Sequence, residues 1–309
     1  MANTTAAAIR PKANKESLWS QIAKNGAVYL FISPFFILYA IFGVYPMIDS
    51  IVLSLLKWDG VGEKRFAGMQ NYALLMKDHD FWLSLYNTLV IWVENTIPMI
   101  IMALILAFLL NAKFVKGKTF FRVVYFLPNV TSVVGVAIIF ATLFGSQYGL
   151  INFVLKTIGL KSIPWLDVGW GIHFAVASLV TWRWVGYNSI LALAGLQKIP
   201  ESLYEAATID GANNRQIFFK ITLPLLNPVI IFIVLTSTIG GMQIFAESQV
   251  LLNNGYGTGN AGLTVVCYLY QQAFQNRQFG YGSAVAWMLF LIIMVFSLIN
   301  FMITRRKED

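Results

Sequence analysis

The residues Gly117-Lys118-Thr119 resemble the end of a phosphate-binding loop. In such a loop, G-x-x-x-x-G-K-[ST], backbone N–H groups cradle phosphates and the lysine reaches them. The first glycine of that pattern falls at position 112, which is Ala112, and an apolar run precedes it where a strand is needed. No nucleotide site is therefore expected in this chain. One cysteine, Cys267, and two separated histidines, His79 and His173, supply neither an internal disulfide nor metal-ligand spacing. No nucleophile–base set stands out, so an enzyme is not expected, nor any cofactor held by this chain.

The polar residues that need a reason lie inside apolar runs. Arg183 sits within Trp182-Arg183-Trp184-Val185-Gly186-Tyr187-Asn188. Glu94 and Asn95 precede Pro98, and Asp49 lies in the first run, near its outer end. Pro128-Asn129 is followed by Thr131-Ser132, and Thr236-Ser237-Thr238 by Gly240-Gly241 and Gln243. A charge at the centre of a bilayer costs about 2.5–3.5 kcal/mol on insertion scales, so it faces a cavity or a partner. Polar and helix-weakening residues at mid-depth suit a solute path. Small and hydroxyl residues also serve plain helix packing in lipid, and Arg183 could snorkel or pair with Glu94. Aromatic faces beside hydrogen-bonding groups suit a sugar, and Trp184, Tyr187, Asn188 and Gln243 provide both; Trp and Tyr also mark membrane interfaces.

Six apolar stretches must position these residues: near 28–55, 86–111, 123–145, 172–196, 225–246 and 283–303. Each is long enough to cross a bilayer, which takes about 20 residues. The composition agrees, with 58% hydrophobic and 12% charged residues and a mean hydropathy of +0.67, against roughly 25% charged in soluble domains. The first stretch is too long for a cleaved signal peptide and lacks a small-residue cleavage site, so it reads as a retained span. Lys and Arg set the orientation. Arg10, Lys12, Lys15 and Lys24 precede the first span; Lys113, Lys116, Lys118 and Arg122 follow the second; Lys198, Arg215 and Lys220 follow the fourth; Arg305, Arg306 and Lys307 end the chain. The alternate loops hold half as many. With six spans, both termini and the 197–224 loop are then cytoplasmic. The net charge of +8 is mostly this signal and calls for no nucleic acid. The longer outer loops, 57–85 and 247–282, could pack on a partner outside.

Between the fourth and fifth spans runs PESLYEAATIDGANNRQIFFKITLP, from Pro200 to Pro224. Pro200 suits a first helical turn. Leu203, Tyr204, Ala207 and Gly211 share a helical face, and Ala206 with Ala207 keeps part of the helix flat for a partner. Glu205 and Asp210 add negative charge. Gly211 can adopt the left-handed conformation that ends a helix, and Asn213 or Asn214 can cap a second short helix through Ile221. Pro224 is expected to restart the chain at the next span. The absence of a basic stripe and the membrane spans at both ends argue against a DNA-reading helix-turn-helix.

Glu205-Ala206-Ala207, Asp210-Gly211-Ala212, Phe218, Ile221, Leu223 and Pro224, led in by Leu196-Gln197-Lys198-Ile199-Pro200, resemble the EAA loop of ABC importer permeases. That motif is long and specific. Tyr45-Pro46, Trp58-Asp59-Gly60, Asn71-Tyr72, Asn87-Thr88-Leu89, Phe126-Leu127-Pro128 and residues 264–286 extend the resemblance over about 28–303, in the sugar-importing branch. Residues 240–245 and 268–272 look most like lactose- and arabino-oligosaccharide-type permeases. The resemblance implies an all-α, polytopic membrane protein with six transmembrane helices, like a type I ABC importer permease, in a bacterial or archaeal plasma membrane. Residues 1–25 would be a cytoplasmic segment and 26–309 the permease domain with its coupling loop, 197–224. Glu205, Ala206, Ala207, Asp210, Gly211, Leu223 and Pro224 would couple to an ATPase. Implied partners are a second permease in a heterodimer, two ATPase subunits carrying the ATP and Mg, and an external solute-binding protein that delivers a di- or oligosaccharide. The substrate path would include Asn129, Arg183, Trp184, Tyr187, Asn188, Ser237, Gly241 and Gln243. Tyr187 and Ser237 match sugar contacts of maltose-type permeases, whereas Asn129 and Gly241 depart from them, which argues against maltose itself. The common Gly-Gly-Pro after span five is altered to Asn254-Gly255-Tyr256-Gly257. An importer of the same class for a non-sugar or anionic solute is the near alternative. A stand-alone secondary transporter would need an inverted repeat, and none is visible; a membrane scaffold without a solute path is a third reading.

Overall fold

The computed structural model describes residues 24–112, 114–253 and 255–305. The basic residues Arg10, Lys12, Lys15, Lys113, Arg306 and Lys307, and Asn254 of the altered glycine motif, lie outside the described residues. The chain divides after Val52 into two compact units. The first is most of helix α1, Gly26–Ser54, which is long and apolar enough to cross a membrane. A wide π turn at Ala40–Val44 interrupts it, where Gly43 lies against the Tyr39 ring.

The second unit is almost wholly helical, as expected. Two paired residues on each side, Leu56–Lys57 (β1) and Arg65–Phe66 (β2), form a small hairpin. Helix α2 (Gln70–Leu75) leads into α3 (His79–Asn111), which Asp78 caps by accepting from the Asp80 N–H. There follow α4 (Lys118–Val130), α5 (Val133–Leu143), α6 (Leu150–Thr157) and α7 (Gly169–Leu196). The Pro200–Pro224 segment holds α8 (Glu201–Ile209) and begins α9, Asn214–Gly241. Helices α10 (Ala246–Leu251), α11 (Val265–Tyr270) and α12 (Phe279–Arg305) complete the unit.

The centre of the unit is α3 against α7. Asn87 accepts from His173 Nε2 at 3.1 Å, Thr181 donates to Asn95 Oδ1 at 3.1 Å, and the Asn188 amide meets Met99 Sδ at 3.1 Å. These partners advance together along both chains, so α3 and α7 run parallel. The segment between them must therefore carry the chain back across, and α4 with α5 does so. Gly195 of α7 lies against Leu226 and Val229 in the middle of α9, and the earlier α7 residues Trp184 and Asn188 share a cavity with the later α9 residues Ser237 and Gly241, so α9 runs antiparallel to α7. Tyr281, near the start of α12, bonds the Asp78 carboxylate at the start of α3, and further along both helices the Phe296 and Trp92 rings meet at 5.6 Å, so α12 runs with α3. The 197–224 loop and the far end of α12 thus lie at the same end of the unit.

Two expectations about the spans are modified. The third, expected as one stretch over 123–145, is bent by 94° between Val130 and Val133. Pro128 lies in its last turn, Thr131 and Ser132 are non-helical, and Thr131 donates back to the Pro128 carbonyl at 2.7 Å. Of the six expected spans, α1, α3, α9 and α12 are apolar enough alone, and the bent pair makes a fifth. The remaining one, α7, has 28 residues, or about 42 Å at 1.5 Å per residue, enough to cross. Its hydropathy is lowered by His173, Arg183 and Asn188, which find polar partners inside the protein rather than meeting lipid. Gly186 sits where α7 crosses α4: a Cβ there would stand 1.7 Å from the Tyr125 carbonyl oxygen. Only glycine permits that approach.

At the opposite end from the 197–224 loop, Asp78 accepts from both Tyr268 and Tyr281 hydroxyls. Burial pushes its carboxyl up, but these bonds and the N–H groups of Asp80 and Phe81 together hold it below the usual aspartate range.

Candidate functional site

A cavity of about 460 Å³ lies between α3, α7 and α9. Helix α7 contributes Trp184, Tyr187 and Asn188, which at i, i+3 and i+4 share one face. The Trp184 and Tyr187 rings meet edge-on at 5.7 Å, and the buried Asn188 amide donates to the Trp184 carbonyl at 3.0 Å. Asn95 and Met99 of α3 form a second wall, and Thr236, Ser237, Gly240 and Gly241 of α9 a third. Gly241 is required by close packing, since a Cβ there would lie 2.7 Å from the Trp92 ring. Just beyond, the chain leaves the helix, and the turn brings Gln243 and then Glu247 of α10 into the lining.

Of the eight path residues expected from sequence, six line this cavity: Trp184, Tyr187, Asn188, Ser237, Gly241 and Gln243. Arg183 stands behind the wall. Its Nη1 bonds Glu247 Oε1 at 2.7 Å, with the two side chains 12% and 15% exposed. Glu94, the partner considered from sequence, is instead exposed on α3. Glu247 was missed because it stood at the start of an outer loop, 64 positions from Arg183. The usable signal was the arginine itself, since a charge at that depth needs a counter-charge, and Glu247 follows the same polar run as Gln243. Asn129 is not in the cavity; it is half-buried on α4, one turn from Phe126, whose ring is 6.4 Å from that of Tyr187. The cavity offers aromatic surface beside amide and hydroxyl groups, which is the chemistry of a polar, uncharged ligand. Its size is in the range of small-molecule sites.

The Pro200–Pro224 segment is shaped largely as its residues dictate. Gly211 is left-handed, at φ +77°, with open space around it. Asn213 accepts from the Gln216 N–H, and the Gln216 side chain accepts from the Asn213 N–H, a reciprocal cap for the next helix. That helix is not short, however. It passes through a π turn at Phe218–Thr222 and continues unbroken to Gly241. Pro224 therefore lies inside a continuing helix, with the widened turn just ahead giving its ring room. Leu223 is half-buried and Pro224 exposed. On α8, Ala207 is buried and Tyr204 accepts from Thr222 at 3.4 Å, so this face packs on the chain itself. Glu205, Ala206 and Asp210 face outward beside Ile209, which is 85% exposed. Lys118, of the apparent phosphate loop, instead donates to the Asn111 carbonyl at the end of α3.

Residues 72–309 match the family described as binding-protein-dependent transport system inner membrane component. The chain belongs to that family. It is thus an ABC importer permease, an integral membrane protein and not an enzyme; hydrolysis of ATP falls to a separate subunit. The permease is 40% identical over 293 residues to the arabinooligosaccharides transport system permease protein AraP of Bacillus subtilis (strain 168), covering 94% of this chain and 93% of that one. It is 38% identical to the lactose transport system permease protein LacF of Rhizobium radiobacter, covering 96% and 99%. In fold it matches a chain of a bacterial ABC transporter involved in the import of the acidic polysaccharide alginate, with a TM-score of 0.80, 24% identity and coverage of 94% and 98%.

Proposed function

We propose that this permease forms one half of the path for a neutral di- or oligosaccharide. The observation that carries this is the cavity, where Trp184 and Tyr187 stand beside Asn188, Ser237 and Gln243. Aromatic faces take the apolar faces of a sugar ring, and the amides and hydroxyl pair with its hydroxyls. The similar permeases named for arabinooligosaccharides and lactose support the same substrate class. An anionic solute is disfavoured because Glu247 already neutralises Arg183. A second permease completes the path, an external solute-binding protein delivers the sugar, and two ATPase subunits carry ATP and Mg. The exposed Glu205, Ala206 and Asp210 dock on an ATPase, with Ala207 holding α8 against the chain and Gly211 turning it. Leu223 and Pro224 lead that element into α9. The excess of Lys and Arg in the sequence of the N-terminal segment, the 112–122 and 197–224 loops and the C-terminal tail supports a cytoplasmic position for these segments in a bacterial or archaeal cell.

The test is uptake by the full transporter in proteoliposomes, with arabino-oligosaccharides and lactose among the sugars offered. Replacing Tyr187 and Trp184 together by Ala should lower sugar uptake at least tenfold while the complex still assembles. Unchanged uptake would remove the cavity from the path.

A further inference from the structure

Every residue lining the cavity is uncharged except Glu247. Its carboxylate is anchored from behind by Arg183, through Nη1 at 2.7 Å to Oε1. The arginine does not reach the lining, and its Nε is buried without a partner among the described residues. The two charges cancel at a distance but not inside the cavity, where the negative end stands in front. A carboxylate accepts through both oxygens, and only Oε1 is engaged by the arginine. Among the described residues no hydrogen bond reaches Oε2, which leaves it to accept from a solute in the cavity.

We infer that Glu247 is a specificity-determining residue of the path: it takes a hydroxyl hydrogen of a neutral solute and turns anions away, while Arg183 positions it and keeps the site from attracting cations strongly. This rests on the reading that the cavity is a solute path. It gives the ion pair a task beyond stability, since in a purely structural role replacement by packed apolar groups would serve as well or better. Neutral polyhydroxylated solutes meet an acceptor that needs no proton or counter-ion. An anion at the same place lies nearer the carboxylate than the guanidinium, and in a partly dry cavity that difference discriminates on the order of tenfold.

The potential inside the cavity can be read without knowing the sugar. Ser237→Cys, in a Cys267→Ser background that removes the sole natural cysteine, places a thiol in the wall. The assembled transporter in proteoliposomes is treated with an anionic sulfonatoethyl and a cationic trimethylammonioethyl thiosulfonate. Rates are compared with those on a free thiol in solution. The expected result is a cationic-to-anionic rate ratio about tenfold above the free-thiol value. Glu247→Gln should reverse it, because the charge of Arg183 behind the wall is then uncompensated. Should that single variant fail to fold, Arg183→Met with Glu247→Gln removes both charges and should return the ratio to the free-thiol value. A ratio at the free-thiol value with Glu247 present, or one unmoved by these variants, overturns the filter and leaves the path standing. Reaction with neither reagent, when the unfolded protein reacts with both, overturns the path itself.

Discussion

Gly186→Ala tests the helix crossing on which the cavity depends. The added methyl would sit 1.7 Å from the Tyr125 carbonyl oxygen. An ordinary C···O contact is about 3.3 Å, so the crossing has to open by roughly 1.6 Å. Both sides are backbone, so no side-chain rotation can relieve the clash. Overpacking of this kind costs about 1–3 kcal/mol, and the absence of a flexible partner puts this case at the upper end. At 2–4 °C per kcal/mol, the melting temperature should fall by about 5–10 °C. Gly240→Ala is the matched control, because a Cβ at Gly240 meets nothing within 4 Å and exposed substitutions stay within about 0.5 kcal/mol. Cys267, fully buried and alone, provides the assay: a thiol-reactive dye labels it only as the purified permease unfolds. Equal melting temperatures for the Gly186 and Gly240 variants would show that α4 and α7 do not touch at this crossing, and the account of why Gly186 is glycine would fail.

Glu205→Lys puts a cation on the outward face of α8 and leaves the inward Ala207 and Tyr204 untouched. The protein should insert and fold normally yet lose ATP-dependent uptake, and normal uptake would remove the docking role of α8. Asp78 makes a pH prediction. Its folded carboxyl titrates below the unfolded value, so its contribution is fully present above about pH 4 and is lost as pH falls through the lower, folded value. Melting temperature followed from pH 6 to pH 3 should fall less steeply for Asp78→Asn than for the wild type, and parallel curves would dissociate the Tyr268–Asp78–Tyr281 contact from stability.

Much of this arrangement was legible in the residues, and the rest was hidden for identifiable reasons. Local rules sufficed where the chain talks to itself: the left-handed turn at Gly211 and the reciprocal cap at Asn213 follow from their own neighbours. Polar residues at membrane depth marked the cavity because lipid gives them no partner, and six of the eight candidates converge there. Contacts distant in sequence were not legible. Arg183 declares a need for a counter-charge but does not say that Glu247 meets it. The fate of Pro224 depends on a π turn that composition does not announce. Of the two alanines expected to keep α8 flat for a partner, Ala206 faces outward and Ala207 packs inward, since helical periodicity identifies faces without saying which of them a partner meets. The bend at Thr131 had a local signal in Pro128, but a proline inside a membrane helix can also be absorbed without one, as Pro98 is in α3.

The helices around the cavity are joined unequally, and this bears on how work could reach it. Helices α3 and α7 are pinned by side-chain hydrogen bonds along their length, from Asn87 to Asn188. In the cavity half of α9 two hydroxyls bond their own helix: Thr236 donates to Phe232 O and Thr238 to Val234 O, both at 2.8 Å. Among the described residues no side-chain hydrogen bond joins α9 to α3 or α7, so it can shift against them by sliding apolar contacts. The same helix begins in the Pro200–Pro224 element and runs without a break to Gly241 in the cavity wall. If α8 docks as proposed, its displacement would reach Ser237 along this one continuous helical rod. Softening that rod should separate hydrolysis from transport. Ile231→Gly with Leu235→Gly lowers helix propensity by about 1 kcal/mol at each position without touching the cavity residues. The transporter should then hydrolyse ATP at a near-normal rate while moving several-fold less sugar per ATP. An unchanged ratio of sugar to ATP, in a variant shown to be folded, would mean that the work reaches the cavity by another route.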